Sequence, residues 1–246
     1  MRAESMDASI STLLIKPDSG GDSPLWPQFE ALESVVGSVH TAEDGRSALT
    51  VLSEEHVDCV VCLHDPPALD GVAVLSELRG VYPDMPVLLA SEPDTADEVI
   101  DAGPTDLVQL TDGTLHDGVV TNRIASVVAQ ARQRGKYEQL FEQANDAILI
   151  HHPESGEIIE ANSKLYDLMG YDPETADTLS VEDILPEEGR YSEERARELI
   201  QATTEDDSRT FEWRNQDADG NPVWVEVNLE VTTLGGVERV LAFVRD

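Results

Sequence analysis

The architecture of the first half of the chain follows from residues 57–71, VDCVVCLHDPPALDG. The segment Val57–Leu63 is a short apolar run rich in β-branched residues, which is typical of a strand buried in a parallel sheet. Asp70 and Gly71 are turn residues and precede a segment with apolar residues at helical spacing. The stretch therefore predicts a buried strand, a short loop and a helix.

Two cysteines lie inside this predicted strand. Cys59 and Cys62 form a C-x-x-C, a spacing that also occurs in redox and metal sites. Residues i and i+3 of a strand point to opposite faces, so the two sulfur atoms cannot share a metal or close a disulfide. We interpret both as core residues and predict no metal site.

The same alternation of strand and helix extends to both sides of residues 57–71. The predicted strands are Thr12–Ile15, Ser38–Thr41, Val57–Leu63, Pro86–Ser91 and Asp106–Leu110, and the predicted helices between them are Leu25–Val36, Glu43–Glu55, Leu69–Val81 and Thr95–Ala102. Strands that alternate with helices form parallel sheets covered on both faces. We therefore predict an α/β doubly wound domain with a five-stranded parallel sheet.

The periodicity changes after a helical pattern that runs from about Leu115 to Gln143. The strands predicted beyond it are Ala147–His151, Glu157–Glu160, Arg209–Gln216, Pro222–Thr233 and Val237–Arg245, with helices Asn162–Met169 and Glu187–Ala202 after the second strand. Tight turns between strands predict an α+β domain with a five-stranded antiparallel sheet. We place the first domain at residues 8–130, a connecting signalling helix at 131–143 and the second domain at 144–246.

Composition limits the partners. The 246 residues include 50 Asp+Glu against 16 Lys+Arg, a net charge of −34. Such a chain repels phosphates and anionic lipid, so we expect no direct contact with nucleic acid. No apolar stretch approaches the ~20 residues of a membrane span, and no secretory signal is visible, so we expect a cytoplasmic protein without a membrane span. The acidic, lysine-poor composition resembles that of proteins from salt-in halophilic archaea, whose charges are screened within about 3 Å at 1 M salt.

The first half resembles the receiver domain of response regulators over about 120 residues. The resemblance rests on the segments Asp65–Gly71, Pro86–Ser91 and Ala102–Asp106. It implies aspartyl phosphorylation, in which Mg²⁺ is held by acidic residues after the first strand and a lysine after the fifth strand pairs with the product.

The residues that this chemistry needs are replaced here. Lys16 and Pro17 stand at the acidic pair, Leu63 at the phosphoacceptor and Leu110 at the lysine, whereas the switch hydroxyl is retained as Ser91. Since leucine cannot accept a phosphoryl group, we predict a degenerate receiver that has no catalytic residue and acts through contacts. The alternative is that Asp65 serves as a displaced acceptor.

Residues 137–246 resemble a PAS domain of the S-box type. The most specific stretches are Glu160–Asn162, Leu168–Tyr171 and the hairpin Arg214–Trp224. The resemblance implies a sensor of a small molecule or of a redox or light cue, but it names no ligand or cofactor. The candidates for lining the PAS pocket or supporting it are Asn162, Tyr166 and Trp213.

The residue types in this half also limit the cofactor. Residues 137–246 contain no cysteine for a flavin photoadduct. His151 and His152 are followed by Pro153, and we interpret both as solvated turn residues rather than haem ligands.

Strand parity points to an interface. Val223, Val225, Val227, Leu229 and Val231 share one face of the sheet, whereas Trp224 lies among polar residues on the other. We predict a homodimer formed through the connecting helix and the PAS sheet. Its candidate residues are Tyr137, Leu140, Phe141 and Trp224.

The two resemblances together indicate a haloarchaeal receiver–PAS signal-transduction protein with protein partners and no enzymatic activity of its own. Two alternatives remain open at this level. The first is that the chain is the input region of a histidine kinase whose catalytic core lies beyond it, as in HTR-like proteins. The second is that it is an adaptor of a transcription regulator.

Overall fold

The computed structural model describes residues 10–16, 37–109, 117–172, 184–185, 190–204 and 208–246. The chain divides into two compact units between Gly135 and Lys136. The predicted helix Leu25–Val36 and the predicted positions Pro17 and Leu110 lie outside the described residues. Our assignment of residues 8–130, 131–143 and 144–246 to two domains and a connecting helix stays a prediction.

The first unit is built on a parallel sheet with the strand order β2-β1-β3-β4-β5. Its strands are β1 Ser11–Ile15, β2 Ser38–Ala42, β3 Cys59–His64, β4 Val87–Ser91 and β5 Asp106–Gln109. The helices are α1 Gly45–Glu54, α2 Gly71–Arg79, α3 Ala96–Asp101 and α4 Asp117–Glu142, the last of which continues past Gly135. Every strand pair is parallel, which confirms the predicted fold class.

Strand β3 lies at the centre of this sheet and is buried along its whole length. Cys59 and Cys62 are both free and buried, as predicted for core residues. Burial raises the pKa of both thiols far above the ordinary value, because the thiolate would lose its hydration there. Neither cysteine is a reactive group at neutral pH.

The second unit contains an antiparallel sheet with the strand order β7-β6-β10-β9-β8. The strands are β6 Ala147–His151, β7 Ile158–Ala161, β8 Arg209–Gln216, β9 Pro222–Leu234 and β10 Val237–Arg245. Helices α5 Ser163–Met169 and α6 Glu193–Gln201 lie between β7 and β8 in the chain. This arrangement confirms the predicted α+β class.

The alternation along β9 separates a buried face from an exposed face. Val225, Val227 and Leu229 are buried, whereas Trp224 between polar neighbours is 57% exposed. The apolar face of the sheet therefore forms the core of this unit. Within the part of the chain that the structure describes, no helix is both long and apolar enough to cross a membrane.

Candidate functional sites

Three of the residues at the positions that receiver chemistry would use lie at the carboxyl edge of the parallel sheet. Lys16 directly follows β1, Leu63 lies near the end of β3, and Ser91 ends β4. These strands are neighbours in the sheet, so the three residues meet at one edge. Leu63 is fully buried and pairs in register with Ala90. A buried hydrocarbon side chain at this position offers no atom that could be phosphorylated.

His64 is a buried polar residue at this edge that sequence reasoning missed. It is 3% exposed and pairs in register with Ser91. Within the described residues, neither nitrogen of His64 nor the Oγ atom of Ser91 has a hydrogen-bond partner. The predicted strand ended at Leu63, whereas β3 continues by one residue to His64, and the imidazole is therefore buried.

The loop after β3 brings helix α2 close to the strand. The Asp70 carboxylate begins the helix by accepting hydrogen bonds from the amides of Val72 and Ala73. Its Oδ1 atom lies 3.8 Å from Nδ1 of His64. A Cβ atom at Gly71 would lie 2.8 Å from the carbonyl oxygen of Leu63. Glycine is therefore required here by the close approach of two backbone segments.

The second unit contains an apolar cavity of about 70 Å³ between the inner face of its sheet and its helices. Its walls include Leu149, Ile200, Phe211, Trp213 and Val227. The polar side chains among the described lining residues are His151 and Asn215, which are 6% and 5% exposed. No charged side chain is among these lining residues.

His151 corrects one of our predictions, because it is buried and lines the cavity rather than facing solvent. Residues i, i+2 and i+4 of a strand share a face, so His151 follows Ala147 and Leu149 into the core. Its Nδ1 atom lies 2.9 Å from the carbonyl oxygen of Gly156. Burial lowers the pKa of His151 and outweighs the opposing effect of this hydrogen bond. The imidazole is therefore neutral at neutral pH.

His152 remains in the turn after β6, as predicted. Its Nδ1 atom accepts hydrogen bonds from the backbone amides of Glu154 and Ser155, both at 3.3 Å. His151 is the last residue of β6 and lies on its buried face, whereas His152 follows the strand and belongs to the turn.

Of the three residues proposed for the PAS pocket, Trp213 lines the cavity, whereas Asn162 and Tyr166 do not appear in its described wall. Asn162 is fully buried and holds the segment before β6 to the start of α5. Its Oδ1 atom accepts a hydrogen bond from the Ile148 amide, and its Nδ2 group donates to the carbonyls of Phe141 and Asp146. The role of Asn162 in this structure is to join backbone segments.

The four residues proposed for an interface differ in exposure. Leu140 is 67% exposed, Trp224 57% and Tyr137 38%, whereas Phe141 is buried. Tyr137 stacks on Phe141, and its hydroxyl donates to Glu160 on β7, the edge strand opposite β8. Burial and the Glu160 carboxylate raise the pKa of Tyr137 to about 12. The apolar surface that remains available is therefore that of Leu140, Trp224 and part of Tyr137.

Comparisons with known families agree with this architecture. The model of the response regulator receiver domain matches residues 28–109, and that of the PAS domain matches residues 145–246. The chain thus contains a response regulator receiver domain followed by a PAS domain, two kinds of domain that occur in two-component signalling.

Individual relatives are also similar to this chain. The bacterioopsin transcriptional activator of Halobacterium salinarum is 27% identical over 76% of this chain and 32% of its own length. The response regulator MprA of Mycolicibacterium vanbaalenii is 38% identical over 28% of this chain and 31% of its own length. The chain thus spans about a third of each of these two curated relatives.

A solved structure is similar to one part of the chain. The PAS domain of an HTR-like protein from Haloarcula marismortui is 26% identical with a TM-score of 0.42, covering 51% of this chain and 98% of that chain.

Proposed function

We propose that this chain is a signalling input module whose PAS unit detects a small molecule and whose receiver unit acts through protein contacts without phosphorylation at Leu63. The observation that carries the proposal is the contrast between the two units. The receiver edge holds a buried leucine at the expected acceptor position, whereas the PAS sheet lines an apolar cavity. The receiver and PAS domains themselves are non-catalytic signalling domains, and no kinase domain is evident in this chain.

Incubation of the full chain with acetyl phosphate and Mg²⁺ tests the receiver half of the proposal. We expect no phosphoryl adduct by intact mass spectrometry, because the residue at the acceptor position has no nucleophilic oxygen. The Asp65→Asn variant is the matched control, since Asp65 directly follows β3. An acid-labile adduct that forms on the unaltered chain and disappears in Asp65→Asn would establish Asp65 as the acceptor and overturn the proposal.

We further propose that the module pairs with a second copy through the exposed apolar residues of the PAS unit. Trp224 is the largest of these, and aromatic residues carry much of the binding energy of protein interfaces. Trp224→Glu is expected to weaken self-association about tenfold or more, measured by sedimentation velocity in high salt. Glu230→Gln, exposed on the same face, should leave it unchanged. Identical sedimentation of Trp224→Glu and the unaltered chain would contradict this interface.

A second candidate function is the input half of a transcription regulator. The observation that favours it is the similarity to the bacterioopsin transcriptional activator, which extends over 76% of this chain and so spans both units. The net charge of −34 requires that a separate domain or partner makes the DNA contact. The alternative of a histidine kinase input region and the cytoplasmic location stay predictions.

A further inference from the structure

We propose that the PAS cavity selects a small uncharged molecule with an apolar body and a hydrogen-bond donor, and that Nε2 of His151 accepts that donor. The inference rests on the proposed function, because it assumes that the cavity is the place where a ligand binds. It adds the chemical class of that ligand and the atom that recognises it.

The described wall of the cavity holds no charged side chain, and its histidine is neutral. An ion that entered would lose its hydration without gaining an opposite charge. The described part of the wall therefore disfavours both cations and anions, in spite of the strongly acidic composition of the chain.

The proton of the neutral His151 imidazole is on Nδ1. This nitrogen lies 2.9 Å from the carbonyl oxygen of Gly156, which can only accept a hydrogen bond. Nε2 is then a lone-pair acceptor. His151 lines the cavity wall and is 6% exposed. A ligand that displaces water from the cavity and donates to Nε2 replaces the hydrogen bond that water could make there. A ligand without a donor leaves Nε2 without a partner, so the donor gains affinity.

The volume of the cavity limits the size of the ligand. A cavity needs about 10–15 Å³ for one water molecule, so 70 Å³ has room for a molecule of about five non-hydrogen atoms. A five-membered ring is of this size. His151 on β6 is separated from Asn215 on β8 by two intervening strands, and neighbouring strands lie about 4.8 Å apart. A molecule this small therefore reaches only one of the two polar side chains.

The test compares three five-membered rings on the full chain in high salt. Pyrrole is neutral and has an N–H donor, furan is neutral without a donor, and pyrrolidinium has donors but is charged. We expect pyrrole to bind about tenfold more tightly than furan and pyrrolidinium not to bind, as measured by saturation-transfer NMR. His151→Leu should make pyrrole and furan bind equally, whereas Asn215→Leu should leave their ratio unchanged.

The outcomes separate the two proposals. Equal binding of pyrrole and furan to the unaltered chain would overturn the role of His151 and leave the cavity as a sensing site. Binding of neither neutral ring would overturn both this inference and the small-molecule part of the proposed function. If His151→Leu does not fold, the ¹⁵N shift of Nε2 in the unaltered chain decides. It should move when pyrrole is added and stay constant with furan, and a shift unaffected by pyrrole would overturn the inference.

Discussion

Asn162→Ala is expected to lower the free energy of unfolding of the PAS unit by about 3 kcal/mol. The fully buried side chain accepts a hydrogen bond from the Ile148 amide at 2.9 Å and donates to the carbonyls of Phe141 and Asp146 at 2.9 and 3.1 Å. Alanine would leave the three backbone groups without these partners. Urea unfolding followed by tryptophan fluorescence measures the loss when Trp26 of the first unit is replaced by Phe in every variant, since the other two tryptophans, Trp213 and Trp224, lie in the PAS unit.

Asn228 provides the matched control for this prediction. Its amide donates to Glu230 in an exposed hydrogen bond, where water replaces a lost partner. Asn228→Ala should therefore cost less than about 1 kcal/mol. Asn162→Asp keeps the acceptor oxygen and loses both donors, so its loss should be intermediate. Equal losses for Asn162→Ala and Asn228→Ala would show that the buried hydrogen bonds do not hold the unit together.

The bounds of strands in the PAS unit were predictable where a run of strand-forming residues is bordered by turn residues. The bounds of β6, β8 and β10 are those predicted, because glycine, proline or acidic residues follow or precede each run. Helix α5 begins one residue later than predicted, because Asn162 has an extended backbone and is the residue before the first helical turn. A residue type suited to the start of a helix is compatible with either position.

The two candidate sites were predictable to different degrees. Leu63 could be located from the resemblance to receiver domains, which implies a phosphoacceptor eight residues before Gly71. His64 and His151 were missed because their burial depends on where β3 and β6 end, and ends are the least certain part of a strand. Application of the two-residue period to Ala147 and Leu149 would have placed His151 on the core face.

The position of Asn215 in the cavity wall could not be predicted from the sequence, for a different reason. Parity places it on the same face as Trp213, but parity alone does not reveal a cavity there. A cavity arises from how helices of the unit pack on the sheet, and that packing joins residues far apart in the chain. Leu149 and Ile200, for example, both line the cavity although they are 51 positions apart in the sequence. Such a juxtaposition is a property of the fold.

Asp58 links three segments of the receiver unit, and its replacement is the second large effect that we expect. Its carboxylate is 8% exposed and accepts a hydrogen bond from the Ser11 amide at 2.9 Å. Arg132 on α4 donates to the other oxygen at 2.9 and 3.2 Å. Burial opposes the charged form, but the Ser11 amide and Arg132 outweigh it, so the pKa of Asp58 lies below its ordinary value of 3.8.

Asp58→Asn is expected to lower the free energy of unfolding of the receiver unit by about 2 kcal/mol at pH 7, because hydrogen bonds to a charged acceptor are lost. The sign of the pH dependence follows from the lowered pKa. The carboxylate contributes its full stabilisation above pH 3.8, the ordinary value, and loses it as the pH falls through the lower value of the folded state. The difference between the variant and the unaltered chain should therefore begin to shrink as the pH falls below 3.8, and it should be smallest below the lower pKa of the folded state, where both side chains are neutral. Hydrogen exchange of the β3 amides, measured by mass spectrometry from neutral to acidic pH, follows this unit separately.

The ion pair between Asp84 and Arg134 is the control, because it involves the same helix in an exposed setting. Their side chains are 84% and 55% exposed, and the closest N–O distance is 3.1 Å. Asp84→Asn should change the free energy of unfolding by less than about 0.5 kcal/mol, and by still less in molar salt. Salt should leave most of the Asp58→Asn effect in place, because water and ions reach that carboxylate poorly. A loss for Asp58→Asn that stays constant down to acidic pH would contradict an electrostatic role and assign the effect to packing alone.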